Sequence, residues 1–270
     1  MALDTRIESP SPSLGERLRG WRERRHLSQM ALALRAEVSA RHLSFVETGR
    51  AQPGRDLVLR LADELEVPLR DRNALLMAGG FAPVFEQRAF DDPAFDPVRA
   101  IIDITLERNK PYPAYAIDRH WNVVRSNAAL PELYEGVDAA LMAPRSNMVR
   151  ILLHPRGMAP RIRNLTLWRA HLIGQIRRQL EFSADPQLEA LLRETLAYPA
   201  GDDPSHEWTG TPAMPLEIDT RLGRLSLIGV TTVFGTPVDV TLEEIALEVL
   251  HPADEATDRV VRAAASARRA

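Results

Sequence analysis

The sequence predicts two domains, an all-α head of five short helices followed by an α/β domain. Three observations carry this reading. Leu27 to Pro53 holds two short helical patterns, each with its own caps. Residues 111–130 and 225–250 instead show the alternation and tight turns of strands. Between head and strands, Phe81 to Asp96 alternates Pro and Phe with acidic residues, as a linker or docking strap would. A chain of 270 residues suits about two domains.

In the head, Leu14, Leu18 and Trp21 recur at helical spacing and predict a first helix from Leu14 to about Arg25. Arg17, Arg19, Arg22, Arg24 and Arg25 decorate it, either as a solvated face or as phosphate contacts. Ser28 is a good N-cap for a second helix running to about Arg35, and Ser39 for a third running to about Thr48. Gly49 can take the left-handed conformation that ends the third. Leu32, Ala33, Val38, Leu43 and Val46 fall where two crossed helices bury them. Ala40, Arg41, His42, Ser44 and Phe45 then point outward, a set that could reach base edges from a major groove. Two further helices are expected over Arg55–Leu65 and Pro68–Ala78.

Ser28-Gln29, Ala33, Val38, Leu43 and the run Val46-Glu47-Thr48-Gly49-Arg50 resemble the helix-turn-helix of the Xre/Cro family of repressors. The resemblance implies that Gln29 touches DNA backbone, that Ala40, Arg41 and Phe45 face bases, and that Arg22 pairs with Glu47. With Ser28, Ser39, His42, Ser44 and Arg50 these form the expected DNA interface. Glu37 stands where the family turn usually has Gly, which predicts a longer or differently shaped turn.

VPLRDRNALLMAGGFAP, together with RHLSFVETGRAQP, is similar to one branch, the MmyB-like transcription regulators. In these a repressor head precedes a PAS-like ligand-binding domain. The likeness continues through PYPAYAIDRHWNVVRSNAAL, which reads as strand, turn, strand and helix with Tyr115 and Ile117 on one face. It continues through Asn147, Arg150, His154-Pro155, Asn164 and Trp168, then through TTVFGTPVDVTLEE and HPADEAT. It weakens at the N-terminal tail, at 135–145 and at a polar, Pro-rich loop over 199–217. The implied fold class is α plus α/β, an all-α five-helix helix-turn-helix domain followed by a PAS-like α/β sensor. The expected boundaries are a flexible tail at 1–13, the head at 14–82, a linker at 83–97, the sensor at 98–260 and a tail at 261–270.

Within the sensor, a helix is expected at Val98–Arg108, and amphipathic helices at Asn164–Phe182 and Asp185–Ala197. Strands are expected at Leu225–Val233 and Thr241–Leu250. A pocket between sheet and helices would be lined by some of Tyr115, Ile117, Ile228, Val230, Ile245 and Leu247, with Trp168 nearby. Arg150 and His154 share a candidate helical turn, with Asn147 and Asn164 close in sequence. These four are expected to hold the polar end of a small amphipathic ligand, a carboxylate, the resemblance implying a fatty-acid-like molecule in some family members. Arg150 could equally be a structural arginine paired with an acidic neighbour. The Pro-rich segments at 81–97 and 199–217 are the expected moving parts.

Composition bounds the rest. Residues 1–90 hold 14 Arg against 12 Asp and Glu, or +2, and the remainder carries −5. That split suits a nucleic-acid module joined to an acidic sensor. Lys110 is the only lysine, so arginine clusters count for less than usual. There are no cysteines, which excludes disulfides and thiolate chemistry. No apolar run reaches the ~20 residues of a membrane span, and the N-terminus has no signal core, so a cytoplasmic protein without membrane contact is expected. His154, His171, His206 and His251 are scattered with no metal spacing, and no cofactor or catalysis is expected. The expected partners are double-stranded operator DNA, the ligand and a second copy of the chain. Two other classes stay open, a DNA-binding protein whose second domain only dimerises, and an enzyme with a regulatory head.

Overall fold

The computed structural model describes residues 12–183, 185–199 and 212–267. The Pro- and Ser-rich start, the larger part of the expected 199–217 loop with His206, and residues 268–270 lie outside these. The chain divides into two units, Met1–Gln87 with Val238–Val240, and Arg88–Pro237 with Thr241–Ala270.

The first unit has five helices, α1 Leu14–Arg24, α2 Gln29–Arg35, α3 Ala40–Glu47, α4 Arg55–Glu64 and α5 Leu69–Ala78. The expected caps form. Ser28 accepts from the Ala31 amide and Ser39 from the His42 amide, each satisfying a donor that a helix start leaves unpaired. At α1, Ser13 and Glu16 make a reciprocal capping box, so the residue assigned to the tail begins the fold. Leu18, Leu32, Leu43, Leu61, Leu65, Leu75 and Leu76 are buried in one core. Truncating any one to Ala would cost about 2–5 kcal/mol. Gly15 lets α1 approach the end of α3. A Cβ there would lie 2.5 Å from the Glu47 carbonyl oxygen.

All five helices end the same way. The residue after the C-cap turns left-handed and returns its amide to the last turn, and the next amide reaches one residue further back. At α2 these bonds run from Glu37 N to Leu34 O (3.3 Å) and from Val38 N to Ala33 O (2.9 Å). Gly49 (φ 72°) and Gly80 (φ 81°) fill the position after α3 and α5. His26 (φ 54°), Glu37 (φ 54°) and Glu66 (φ 48°) fill it after α1, α2 and α4. The turn between α2 and α3 therefore has the same form as the two glycine turns of this head. Glu37 takes the glycine conformation and bears its strain.

Part of the expected linker belongs to the head. The Asn73 carboxamide, buried on α5, donates to Phe85 O (2.6 Å) and accepts from the amides of Val84 (3.0 Å) and Phe85 (3.1 Å).

The second unit opens with α6, Asp96–Arg108, which starts two residues before the expected Val98. The hairpin follows as β1 Ala114–Ile117 and β2 Val123–Ser126, then α7 Leu130–Leu133, α8 Met148–Leu153, α9 Leu165–Ser183 and α10 Pro186–Leu196. Next come β3 Leu216–Thr220, β4 Gly223–Val233, α11 Val240–Glu243, β5 Ala246–Pro252 and α12 Glu255–Ala267. The strands form an antiparallel sheet in the order β2-β1-β5-β4-β3. Asn127, which the sequence suggests as the start of a helix, lies ahead of α7, which begins at Leu130. It is buried, and its carboxamide ties β1 and the end of α6 by donating to Leu106 O and Tyr112 O and accepting from Ala114 N.

The sheet is covered on both faces. On β1, Tyr115 and Ile117 join the core shared with α7 to α10, while Ala114 and Ala116 pack with Ile102 and Leu106 of α6. On β5, Leu250 joins the first face, and Leu247 and Val249 the second.

Four expectations need correction. The strand expected from Thr241 begins at Ala246, because α11 and Ile245 precede it, and Ile245 and Leu247 face α6 rather than the pocket. The loop expected over 199–217 gives way at Leu216 to β3, paired along β4. The tail expected from 261 lies within α12, whose Val261 is buried and whose Thr257 hydroxyl accepts from the Ser226 amide (3.0 Å). The linker expected over 83–97 is ordered at both ends, by Asn73 and by a 3-10 turn at Pro93–Phe95 that runs into α6.

Candidate functional site

The head presents α3. Its Leu43, Val46 and Glu47 are buried, so helical period turns Arg41 and Phe45 the other way, with Ser44 at the flank, while Ala40, expected to face bases, packs against the head core. Arg41 is exposed, with its guanidinium 5.4 Å from the Phe45 ring centroid. That cation–π contact holds the side chain along the helix rather than loose in solvent. His42 and Ser44 are half-buried, and Ser39 and Ser28 lie exposed at the two helix starts. Arg50 is exposed just beyond Gly49, its amide bonded to Phe45 O (2.8 Å).

Behind this surface stands the pair expected from Arg22 and Glu47. Arg22 donates Nε to Glu47 Oε1 (2.7 Å) and Nη2 to Oε2 (2.9 Å), and its Nη1 reaches Leu27 O (2.9 Å). The carboxylate raises the guanidinium pKa further, against the opposing effect of burial. Gln29 adds a third bond, Nε2 to Glu47 Oε2 (2.7 Å). Gln29 is thus tied first to Glu47, which the sequence reading did not anticipate. Its amide nitrogen keeps a second hydrogen for a phosphate. The other arginines of α1 have internal partners. Arg17 meets Pro12 O, Arg19 meets Glu23, Arg24 lies over Trp21, and Arg25 meets Leu65 O.

In the second unit a cavity of about 160 Å³ lies between the sheet and α7, α8 and α9. Leu130, Leu133, Met148, Leu152, Leu172 and Leu250 supply apolar wall, and Tyr115, Trp121, Tyr134 and Trp168 supply aromatic wall. Trp121 gets there through a strained turn. Its φ is 69°, costing about 1–3 kcal/mol for a bulky residue. Asp118 holds that turn by accepting from the His120 and Asn122 amides, and the indole donates to Gln179 (2.8 Å).

The polar groups on the wall are few. Glu248 stands opposite Tyr115 across β1 and β5, and the phenol donates to Glu248 Oε2. Thr231 lies 3.4 Å from Oε1. Burial pushes the Glu248 carboxyl above its usual range, and those two hydrogen bonds offset it only in part. Burial likewise holds His171 below the usual imidazole value, with the Arg178 charge acting the same way. Its Nε2 is 2.8 Å from Gln175.

Of the expected ligand residues, Tyr115, Trp168 and Ile228 line this cavity. Ile117 lies on the same sheet face but not on the wall. Val230 pairs with Val249 on the α6 face and is 47% exposed. The expected head-group set is occupied elsewhere. Arg150 makes a bidentate pair with Glu194 (2.9 and 2.8 Å), the structural role left open for it. His154 packs edge-on against Tyr198 and accepts from the Arg156 amide. Asn147 caps α8 and donates to His120 O, and Asn164 donates to Pro215 O and accepts from Glu217 N. These four position elements; none reaches the cavity wall. Glu248 and Thr231 are the residues that sequence reasoning missed. Their alternation along β5 and β4 was visible, but not which face carried the cavity.

A second cleft, of about 230 Å³, lies beside α12. Leu133, Leu225, Leu227 and Val261 form its wall, with Lys110, Glu132 and Arg221 also lining it. Lys110 pairs with Glu107 and Arg221 with Glu135. Among the described residues no helix is long and apolar enough to cross a membrane.

Residues 13–75 match a helix-turn-helix domain family, and residues 98–264 match the MmyB-like transcription regulator ligand binding domain. No curated protein matches the chain. Among solved structures, one described as an RNA-binding Light-Oxygen-Voltage Receptor aligns at 11% identity and a TM-score of 0.28, over 95% of this chain and 63% of that one. The chain therefore spans less than two thirds of that receptor, and so distant a likeness carries no argument about function. The two family matches describe a DNA-binding transcription regulator with a ligand-binding domain. The second covers more than half of the sequence, and the chain belongs to the MmyB-like transcription regulators.

Proposed function

We propose that this regulator binds a two-fold symmetric operator as a homodimer, without catalysis, and that a small amphipathic ligand in the sensor cavity controls it. The observation that carries the DNA reading is the outward face of α3, with Arg41 held over Phe45. A guanidinium there can make two hydrogen bonds to guanine O6 and N7. Arg41→Ala should lose about 1–3 kcal/mol on the cognate site and little on random duplex. Gln29→Ala should weaken both alike. Equal losses by Arg41→Ala on the two duplexes would overturn the base-reading role.

For the ligand, the supporting observation is the cavity itself, apolar over most of its wall with polar groups at Tyr115, Glu248 and Thr231. Denaturing the purified protein and identifying released small molecules by mass spectrometry is the direct test. A second reading, a fatty-acid-like ligand, is favoured by the larger cleft, where Lys110 and Arg221 line the wall and could face a carboxylate, and each buried methylene would add about 0.8 kcal/mol. Affinity that rises with acyl length and falls in Arg221→Ala would support that second reading. If no molecule is released and none of a ligand series binds, the domain serves dimerisation alone.

A further inference from the structure

We infer that the 160 Å³ cavity recognises the protonated amine of a compact apolar molecule, with Glu248 as its counter-charge and the surrounding aromatic rings as its cage. This rests on the reading of that cavity as the sensor site and names the class of ligand.

The size comes first. A dry cavity of about 150 Å³ takes a benzene-sized molecule, so this one fits a body of roughly one ring or a short branched chain. The sign of charge comes next. No arginine or lysine lines the cavity among the described residues, and His171 is held toward its neutral form. Glu248 is the only acidic side chain on the wall among the described residues. Its Oε2 accepts from Tyr115, while among the described residues Oε1 has only the long contact to Thr231. An ammonium group can fill that open acceptor position and supply the missing positive charge, whereas a carboxylate would meet like charge in a desolvated site. The raised carboxyl pKa of Glu248 agrees, since burial dominates there and no cation among the described residues offsets it. The rings come last. Tyr115, Trp121, Tyr134 and Trp168 border the same space, and ring faces attract cations most strongly where water is excluded.

The test is a matched series with one apolar body, 2-phenylethylamine, 2-phenylethanol and 3-phenylpropionate, titrated into the full-length protein by calorimetry. The amine should bind about ten- to a hundredfold more tightly than the other two. Glu248→Gln keeps the shape and an acceptor for Tyr115, and it should remove most of that preference. A melting curve run on the same sample shows that the variant is folded. Thr231→Val, which leaves the carboxyl in place, should preserve the preference. If the alcohol or the carboxylate binds as tightly as the amine, or if Glu248→Gln binds the amine undiminished, the amine assignment falls while the cavity remains a ligand site. If no member binds and denaturation releases no small molecule, the sensor reading falls with it.

Discussion

At the residue scale, two buried carboxylates behave in opposite ways. Glu47 is fully satisfied, by both arms of Arg22 and by Gln29, and its side chain is 1% exposed. Removing one partner of such a pair strands the other charge, which costs about 3–5 kcal/mol. Glu47→Gln and Arg22→Met should each lower the melting temperature, and the double variant should lose less than the sum of the two. Additive losses in urea unfolding would mean that the pair contributes nothing as a pair. Glu248, by contrast, has hydrogen bonds but no cation, and burial raises its pKa in the folded state. A carboxyl whose folded value exceeds its unfolded value binds extra protons on folding. Its contribution is therefore full below the ordinary glutamate pKa and is lost as pH rises through the raised folded value. Asp185 has the opposite sign. Burial alone would raise its pKa, but the bonds from His120 and the Gln187 amide, with the Arg119 charge, bring it below the usual range. Its contribution is present at neutral pH and lost on acidification. Melting temperatures of Glu248→Gln against the parent protein, taken from acid to alkaline pH, should converge in acid and separate above it, with the variant the more stable. Parallel curves would contradict the assignment of that buried charge.

At the element scale, the head shows what a sequence can and cannot announce. Its helix starts were legible because Ser28 and Ser39 announce themselves chemically, and its core was legible because Leu18, Leu32 and Leu43 repeat at helical period. The helix ends were half legible. Gly49 signalled one, but His26, Glu37 and Glu66 adopt the same left-handed turn without the residue that advertises it. Tertiary packing decides there, since Leu27 and Val38, which follow two of these turns, pack against the core and Val67 is buried in it. The cost remains in place. A non-glycine residue in this region bears about 1–2 kcal/mol of strain, and glycine would return about half of that as unfolded-state entropy. Glu37→Gly and Glu66→Gly should therefore each stabilise the head by about 0.5–1 kcal/mol, additively, with an unchanged urea m-value. A loss of stability would show that the glutamates make contacts worth more than the strain. In the sensor the misreadings have the same kind of origin. The Thr241 run alternates like a strand, yet α11 precedes β5 and shifts which side chains reach which face. Alanine-rich α12 offers little apolar signal beyond Val260 and Val261, so its burial comes from β4 rather than from its own sequence. Arg150 looked like a ligand residue because Glu194, which satisfies it, lies 44 residues away in the chain.

At the scale of the whole molecule, one head reads very little DNA. Arg41 and its neighbours on α3 span a few base pairs, and the first 90 residues carry a net charge of only +2. Non-specific attraction to phosphate grows with the number of cations brought to the backbone, so a single head should bind any DNA weakly. Joining two heads makes the second contact intramolecular, at an effective concentration that reaches millimolar for short flexible connections. Residues 1–87 alone should therefore keep the half-site preference of the full chain and lose most of its affinity. The fragment should end at Gln87 rather than at residue 82, because Asn73 ties Val84 and Phe85 to α5. The full-length protein should occupy an operator whose half-sites are centred about one helical turn, 10–10.5 bp, or a multiple of it apart. Inserting about 5 bp between them moves the half-sites to opposite faces of the duplex and should reduce full-length binding to the level of the fragment. The fragment itself should not notice the insertion. Analytical ultracentrifugation of the free protein, alongside fluorescence anisotropy on the two operators, separates the possibilities. A full-length monomer that binds both operators equally, and no better than the fragment, would remove the dimer. A dimer indifferent to the insertion would place the flexibility in the connection between head and sensor.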